Sequence, residues 1–214
     1  MPGRVFTVAQ QKGGSGKTTV SAHLAVAWAQ GAARRVAILD VDPQGSFGEW
    51  FERRERRMGE DRTGLTFRTA SGWGARREAR ALARDHDVVI VDTPPHADLE
   101  ARNAMEAADL VVVPVQPTPA DLWATEATLR QAEKERAPAV LTLNRVPPRA
   151  RITDAVVGEL RKFPAGLTTA RLGNRVVFAE SIGLGRTALE VRASSPSAAE
   201  VRDLAAELLA RVGI

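Results

Sequence analysis

The sequence predicts an α/β fold in which a mostly parallel, twisted sheet is flanked by helices on both faces. Short apolar runs alternate with longer amphipathic stretches along the whole chain, and a glycine-rich loop follows the first apolar run. At 214 residues the chain is long enough to bury a continuous core. No linker or repeat interrupts the alternation, so we expect a single domain over residues 1–214.

The apolar runs predict six strands and one further candidate for an edge strand. The strands are Val5–Ala9, Val36–Val41, Leu65–Arg68, Val88–Asp92, Leu110–Pro114 and Val140–Leu143, and the edge candidate is near Gly166–Thr169. The predicted helices are Lys17–Gln30, Gly45–Arg57, Ala75–Arg84, Ala101–Ala107, Pro119–Arg136, Ile152–Lys162 and Pro196–Val212. The last helix has its apolar residues on one side and mixed charge elsewhere, so we expect it to dock on the core and not on a membrane.

Composition excludes several classes of site. The absence of cysteine removes disulfides, thiolate zinc sites, iron–sulfur ligation and cysteine nucleophiles. The N-terminal segment lacks the pattern of a signal peptide or a membrane span, so we expect a cytoplasmic protein. The net charge of +4, carried mainly by arginine, permits nucleic-acid binding, but genomic base composition explains it equally well.

The histidines and tryptophans show no spacing that indicates a metal site or a base-stacking surface. His23 falls in a predicted helix, and His86 and His96 fall in loops. We expect the four tryptophans to be core or interface anchors; they are Trp28, Trp50, Trp73 and Trp123.

A phosphate-binding loop is predicted after the first strand. The segment reads strand, then KGGSGKTT, then an alanine-rich helix, which is the order such a loop requires. Glycines let successive N–H groups point at phosphate oxygens, and the helix N-terminus adds a positive dipole end. Lys17 would reach the β- and γ-phosphates and Thr18 would bind Mg²⁺. The predicted nucleotide-binding residues of the loop are Gly13, Gly14, Ser15, Gly16, Lys17, Thr18 and Thr19.

The loop departs from the usual pattern in a way that resembles one family. Gln11 stands where G-x-x-x-x-G-K-[ST] has its first glycine, and Lys12 follows it. The run K-G-G-x-G-K-T resembles the deviant Walker A motif of the ParA/MinD ATPases. The resemblance implies that Lys12 contacts the nucleotide of a partner subunit and takes part in catalysis.

Three aspartates are candidates for hydrolysis and metal binding. The segment from Asp40 to Gln44, D-V-D-P-Q, matches the second signature of the same family. Both of its carboxylates lie where parallel sheets bind ligands. Asp42 is the candidate for orienting the attacking water, and Asp40 supports either the magnesium shell or a switch loop. Asp92 ends an apolar strand as Walker B requires and would bind Mg²⁺ through water, although an N-cap of the next helix would also use an aspartate here.

Two further segments add to the resemblance. The loop P-V-Q-P-T-P, from Pro114, is expected to shape the pocket and the dimer face. Asn144 directly follows an apolar strand and can both donate to and accept from an adenine edge; by the resemblance it sits beside the base. The C-terminal segment from Arg171 to Glu180 is similar to short partition-type ParA proteins without an N-terminal helix-turn-helix domain.

The resemblance implies an ATP- and Mg²⁺-dependent switch. A homodimer with ATP at its interface would bind nonspecific DNA, and a ParB-like or other partner would stimulate slow hydrolysis. The product would be the partition or positioning of a plasmid, a chromosome region or a protein cluster, on the nucleoid and without a membrane. The DNA-binding candidates are Arg145, Arg171, Arg175, Arg186 and Arg202. Ordinary solvated arginines would have the same sequence pattern. The alternative function is a division-site or cluster-positioning regulator that caps another protein and uses DNA little.

Overall fold

The computed structural model describes residues 2–31, 34–71, 73–95, 99–149 and 151–214, with the backbone alone at 151 and 152. The predicted α/β class is confirmed, because all six strands pair in parallel within one sheet. The strands are β1 (Arg4–Val8), β2 (Val36–Asp40), β3 (Thr66–Thr69), β4 (Val88–Asp92), β5 (Leu110–Val115) and β6 (Ala139–Leu143). Their order across the sheet is β3-β2-β4-β1-β5-β6.

Nine α-helices are present in the described ranges, seven of them at predicted positions. They are α1 (Lys17–Gly31), α2 (Ser46–Met58), α3 (Gly74–Asp85), α4 (Leu99–Ala107), α5 (Pro119–Lys134), α6 (Arg151–Leu160), α7 (Val176–Gly183), α8 (Ala188–Val191) and α9 (Pro196–Arg211). A 3₁₀ turn, Glu60–Arg62, lies between α2 and β3. Most predicted ends differ from the observed ones by one or two residues.

The sequence prediction missed α7 and α8. The first turn of α7 contains two valines, and no side chain among the described residues caps its N-terminus, so it lacks the usual start signals. With four residues, α8 is too short for a hydrophobic period.

The predicted edge strand is not a full strand. Only isolated bridges form beside β6 in the described residues, one between Leu141 and Leu167 and one between Val146 and Gly173. The segment therefore follows the sheet edge without extending the ladder.

The core is formed on both faces of the sheet. On one face, α1 and α9 pack together, and the Trp28 indole donates to the Ala205 carbonyl at 3.0 Å. Val201, Leu204 and Leu208 of α9 are buried there, as predicted for a core-docked helix. His23 lies in α1 as predicted, and His86 follows α3, whereas His96 is outside the described residues. Within the described ranges, no helix combines the length and apolarity that crossing a bilayer requires.

The parallel topology gathers the predicted site at one edge. Asp40 and Asp92 are register partners on β2 and β4, and the loop after β1 emerges beside them. The segments after β5 and β6 reach the same edge. The chain adds strands on one side of β1 first and then on the other side. Open parallel sheets bind ligands at the point where the strand order reverses in this way.

Candidate functional site

The loop between β1 and α1 leaves a row of main-chain donors free. The N–H groups of Gly13, Gly14, Ser15 and Gly16 donate to no acceptor in the described part of the chain. Gly14 and Gly16 have φ of 75° and 94°, a backbone region that favours glycine. A Cβ at Gly16 would also lie 2.4 Å from the Asn144 amide nitrogen. The loop therefore has the form of an anion-binding turn at a helix N-terminus.

Two amide side chains hold the loop from outside. Gln116 Nε2 donates to the Gly14 carbonyl at 2.8 Å, and Asn144 Nδ2 donates to the Ser15 carbonyl at 2.8 Å. Consecutive carbonyls are thus fixed by the segments after β5 and β6. These bonds fit the predicted role of the proline-rich loop in shaping the pocket.

The Lys17 ammonium lies in the centre of the loop. It is largely buried, and Nζ donates to the Gln10 carbonyl at 3.3 Å. Burial lowers the pKa of Lys17, and the nearby carboxylates of Asp92 and Asp42 oppose that shift. A buried cation with one neutral acceptor among the described residues is ready to bind an anion.

Asp92 and Thr18, two of the predicted metal-binding residues, are in contact. Thr18 Oγ1 donates to Asp92 Oδ2 at 2.6 Å, and Ser21 Oγ donates to Asp92 Oδ1 at 2.9 Å. Burial raises the pKa of Asp92 to about 7, with a smaller contribution from the charge of Asp40. An aspartate and a hydroxyl this close supply the hard oxygen ligands that Mg²⁺ prefers, so the residues fit that ion.

Asp40 and Asp42 have different surroundings despite their spacing of two residues. Asp40 is buried, and its two oxygens accept the N–H groups of Asp42 and Gly48, each at 3.0 Å. Burial raises the pKa of Asp40, and these hydrogen bonds oppose the shift. These bonds favour the switch-loop role for Asp40, because it ties the loop to the start of α2. Asp42 lies past the strand end, half-buried, and accepts the Gln44 N–H at 2.9 Å.

Lys12 forms an ion pair within its own chain. Its Nζ lies 2.5 Å from Asp121 Oδ2, with the lysine side chain 33% exposed and the aspartate fully buried. Asp121 also accepts the Thr118 hydroxyl at 2.5 Å, at the start of α5. Farther along α5, the Thr128 hydroxyl donates to Gln10 Oε1 at 2.8 Å. The helix α5 therefore holds the segment that leads into the loop.

A pocket of about 530 Å³ is lined by the segment that begins at Val146, two positions after Asn144 in the sequence. Its walls include Val146, Pro147 and Gly173, and the Thr153 hydroxyl beside it is buried without a hydrogen-bond partner in the described residues. Both polar atoms of the Asn144 amide are hydrogen-bonded: Nδ2 donates to the Ser15 carbonyl, and Oδ1 accepts the Arg145 N–H at 2.9 Å. Recognition of a base by Asn144 therefore stays a prediction and would require its amide to leave the loop.

The five predicted DNA-binding arginines fall into two groups. Arg175 pairs with Glu200 at 2.5 Å, and that bond raises the pKa of Arg175. Arg186 donates to the Glu190 carbonyl at 2.6 Å, and Arg202 donates to the Ala193 carbonyl at 3.0 Å.

By contrast, Arg145 and Arg171 are exposed, and their side chains make no hydrogen bond or ion pair within the described residues. Arg171 lines the 530 Å³ pocket together with Arg149 and Arg175. Arg145 and Arg149 both have positive φ, at 52° and 56°, so their backbone is held in a region uncommon for arginine.

Sequence reasoning missed Ser21 and His23 as members of the site. Ser21 is four residues after Lys17, so the helical period alone could have placed it on the same face. His23 accepts the Ala188 N–H at Nε2, at 3.0 Å, and its Nδ1 bonds the Thr19 carbonyl at 2.7 Å. It therefore connects the first turns of α1 to α8, a contact with no local signal in the sequence.

Comparison with known proteins agrees with this geometry. Residues 6–177 match the family model described as the CobQ/CobB/MinD/ParA nucleotide binding domain. The maintenance of carboxysome distribution protein A of Halothiobacillus neapolitanus is 29% identical over 205 residues, covering 92% of this chain and 93% of that protein. The chromosome-partitioning ATPase Soj of Thermus thermophilus is 30% identical, covering 98% of this chain and 96% of Soj.

Solved structures share the fold. The MinD cell division protein of Aquifex aeolicus superposes with a TM-score of 0.82 at 15% identity, covering 97% of each chain. The ATP complex of a Cyanothece McdA variant superposes with a TM-score of 0.78 at 13% identity, covering 99% of this chain and 97% of the other.

Proposed function

The chain belongs to the CobQ/CobB/MinD/ParA nucleotide-binding domain family, and on that premise we propose that it is a Mg²⁺-dependent ATPase that works as a dimerisation switch. The observation that carries the proposal is the row of free N–H groups from Gly13 to Gly16, beside the buried ammonium of Lys17. A row of main-chain donors at a helix N-terminus binds anions, and phosphate oxygens are acceptors of the required charge.

Hydrolysis in this proposal divides between four side chains. Lys17 exchanges the Gln10 carbonyl for phosphate oxygens, and Asp42 orients the attacking water. Thr18 and Asp92 would hold Mg²⁺, and the bound ion would neutralise charge that develops on the phosphates. Within the described residues the site contains no isolated strong base, so we expect turnover well below the ~1–100 s⁻¹ of protein kinases.

In this proposal the dimer depends on Lys12, whose side chain is 33% exposed. In the dimer the Lys12 ammonium leaves Asp121 and contacts the phosphates of the nucleotide bound to the partner subunit. Lys12→Ala should therefore weaken ATP-dependent dimerisation and keep nucleotide binding by the monomer. Sedimentation with ADP and with a slowly hydrolysed ATP analogue measures this, and Lys162→Ala, at an exposed pair with Glu159, is the control. A wild-type protein that stays monomeric with the analogue contradicts the switch.

The cargo of the switch is proposed from the relatives. Two of them are named for carboxysome distribution and for chromosome partitioning, so we propose that this chain positions a protein cluster or a DNA region. The dimer would bind nonspecific DNA through Arg145 and Arg171, the two predicted arginines whose side chains have no partner in the described part of the chain. A ParB-like or other partner protein would then stimulate hydrolysis and release the dimer.

ATP-dependent binding to random duplex DNA tests this step. Phosphate contacts release counterions, so the affinity should fall steeply with salt and depend little on sequence. The dimer carries two copies of the basic surface and binds DNA through both, so it binds more tightly than the monomer. Because ATP is needed for the dimer, DNA binding depends on ATP although no new surface forms. No binding at low salt, from a protein that does form the dimer, would favour the alternative in which the dimer caps another protein.

A further inference from the structure

Two of the four tryptophans are core residues and two are exposed. Trp28 and Trp50 are buried, whereas Trp123 is 74% exposed and Trp73 is 87% exposed. A tryptophan removes about 150–250 Å² from water when it is buried, and tryptophans are enriched at the energetic centres of interfaces. A single exposed apolar residue is common, so position and surroundings must show whether either one is a contact.

Trp123 lies on the outer face of the helix that holds Lys12. The inner face of α5 buries Asp121, Thr125 and Thr128. Trp123 follows Asp121 by two residues, which places it about 200° around the helix from that aspartate. One turn of α5 therefore carries both the ion-pair partner of Lys12 and the exposed indole.

The surface beside Trp123 is neutral. Glu126 and Arg130, its neighbours on the outer face, form an ion pair of 3.0 Å along the helix. In a symmetric dimer the same patch of both subunits lies at the interface. A patch with an unpaired charge would therefore lie against a patch of like charge. A neutral apolar patch fits a second copy of this chain.

Trp73 provides the contrast. It precedes α3, where Arg77 makes no ion pair within the described residues. Arg76 is engaged by Glu106 of α4. The surroundings of Trp73 are therefore basic, and they are separate from Lys12 and α5.

We infer that Trp123 is an anchor of the contact between two copies of this chain, on the helix whose inner face holds Lys12 through Asp121. The inference rests on the proposed ATP-dependent dimer. Because Lys12 reaches across the interface from its place beside Asp121, the first turn of α5 lies next to the partner. The exposed indole then becomes buried when the subunits join.

Equilibrium sedimentation with a slowly hydrolysed ATP analogue tests the contact. We expect Trp123→Ala to weaken dimerisation about 10- to 100-fold, the range of an interface anchor. Trp73→Ala should change it less than about 2-fold. Binding of a fluorescent ATP analogue to the monomer should be unchanged in both variants, which checks that they fold.

Fluorescence gives an independent readout. Trp73→Phe leaves Trp123 as the one exposed indole in the described chain, so its emission should shift to shorter wavelength when the analogue is added. Trp123→Phe should abolish that shift. A dimer that forms equally well in both alanine variants, or a shift that follows Trp73, overturns the contact and leaves the proposed function standing. A wild-type protein that stays monomeric overturns both.

Discussion

The carboxyl edge of the sheet and the C-terminal third of the chain differ in which polar groups have hydrogen-bond partners. At the sheet edge, main-chain donors from Gly13 to Gly16 are left free, while nearby side chains have partners, as Thr18 has in Asp92 and Gln116 has in the Gly14 carbonyl. In the C-terminal third, three of the five predicted DNA-binding arginines already have a partner in the chain, as Arg175 has in Glu200, and only Arg145 and Arg171 have none in the described residues. A motif that fixes backbone geometry therefore identifies a site better than a count of charges does.

The largest expected effect lies at the sheet edge. Lys17→Ala should lower ATP affinity about 100-fold, because it removes a charged phosphate contact. Asp42→Ala should keep ATP binding, lower kcat by at least about 100-fold and accumulate the dimer. Equilibrium binding and steady-state hydrolysis distinguish the two variants. Undiminished turnover in Asp42→Ala would remove Asp42 from the mechanism.

A comparable effect, on stability, is expected from breaking the ion pair that joins α2 to the C-terminal third. Arg54 of α2 and Glu190 of α8 form an ion pair of 2.8 Å, with side chains 4% and 11% exposed. Glu190→Ala leaves the buried guanidinium with the Thr63 carbonyl and no counter-charge, and it removes the capping box of α8, so it should lower the free energy of unfolding by about 3–5 kcal/mol.

Urea unfolding measures that change. Glu52→Ala is the matched control, because Glu52 pairs with Arg56 on the exposed face of α2. Its effect should stay within about 0.5 kcal/mol. Equal effects in the two variants would show that burial does not set the strength of these pairs.

His23 joins the two regions and predicts a pH effect. Burial lowers its pKa from 6.5 to about 4, so between these values the unfolded chain binds a proton that the folded chain does not. Stability is therefore full above pH 6.5 and falls as the pH is lowered toward 4. The loss attributable to His23 from pH 8 to pH 5 should be about 2 kcal/mol.

His23→Asn should remove most of this slope, because an amide can also donate and accept but does not titrate. The difference between wild type and variant, measured by urea unfolding at the two pH values, isolates His23 from the carboxylates. The same pH slope in both proteins would contradict the assignment.

The smallest effect concerns DNA. Arg171→Ala should reduce the slope of log affinity against log salt by about 1, as the loss of one phosphate contact does. Arg175→Ala should change the slope less, because Glu200 already binds its guanidinium. Titration of random duplex DNA across a salt series, with ATP present, compares the two. A larger loss in Arg175→Ala would mean that Glu200 releases this arginine on binding.

The sequence predicted the parts of the molecule whose signals are local. The parallel sheet and the glycine loop depend on short apolar runs and on one compact motif, so the fold class and the position of Lys17 followed directly. The bonds from Asn144 to Ser15 and from Lys12 to Asp121 join residues more than a hundred positions apart. Because packing sets these partners, sequence reasoning assigned Asn144 to base recognition and found no partner for Lys12 in its own chain.

Two fixed points, the end of β2 and the packed helix α2, limit how far the segment carrying Asp42 can move. At one end Asp40 is fixed in β2, and at the other the backbone of α2 lies so close to Gly185 that a Cβ there would be 2.4 Å from the Arg54 nitrogen. Trp50 adds a bond to the Arg186 carbonyl at 3.0 Å. Only residues 41–45 lie between the two anchors. A tether this short allows adjustments of a few bond rotations and no swinging lid, so in the proposed mechanism Asp42 reaches the attacking water by rotation of its side chain.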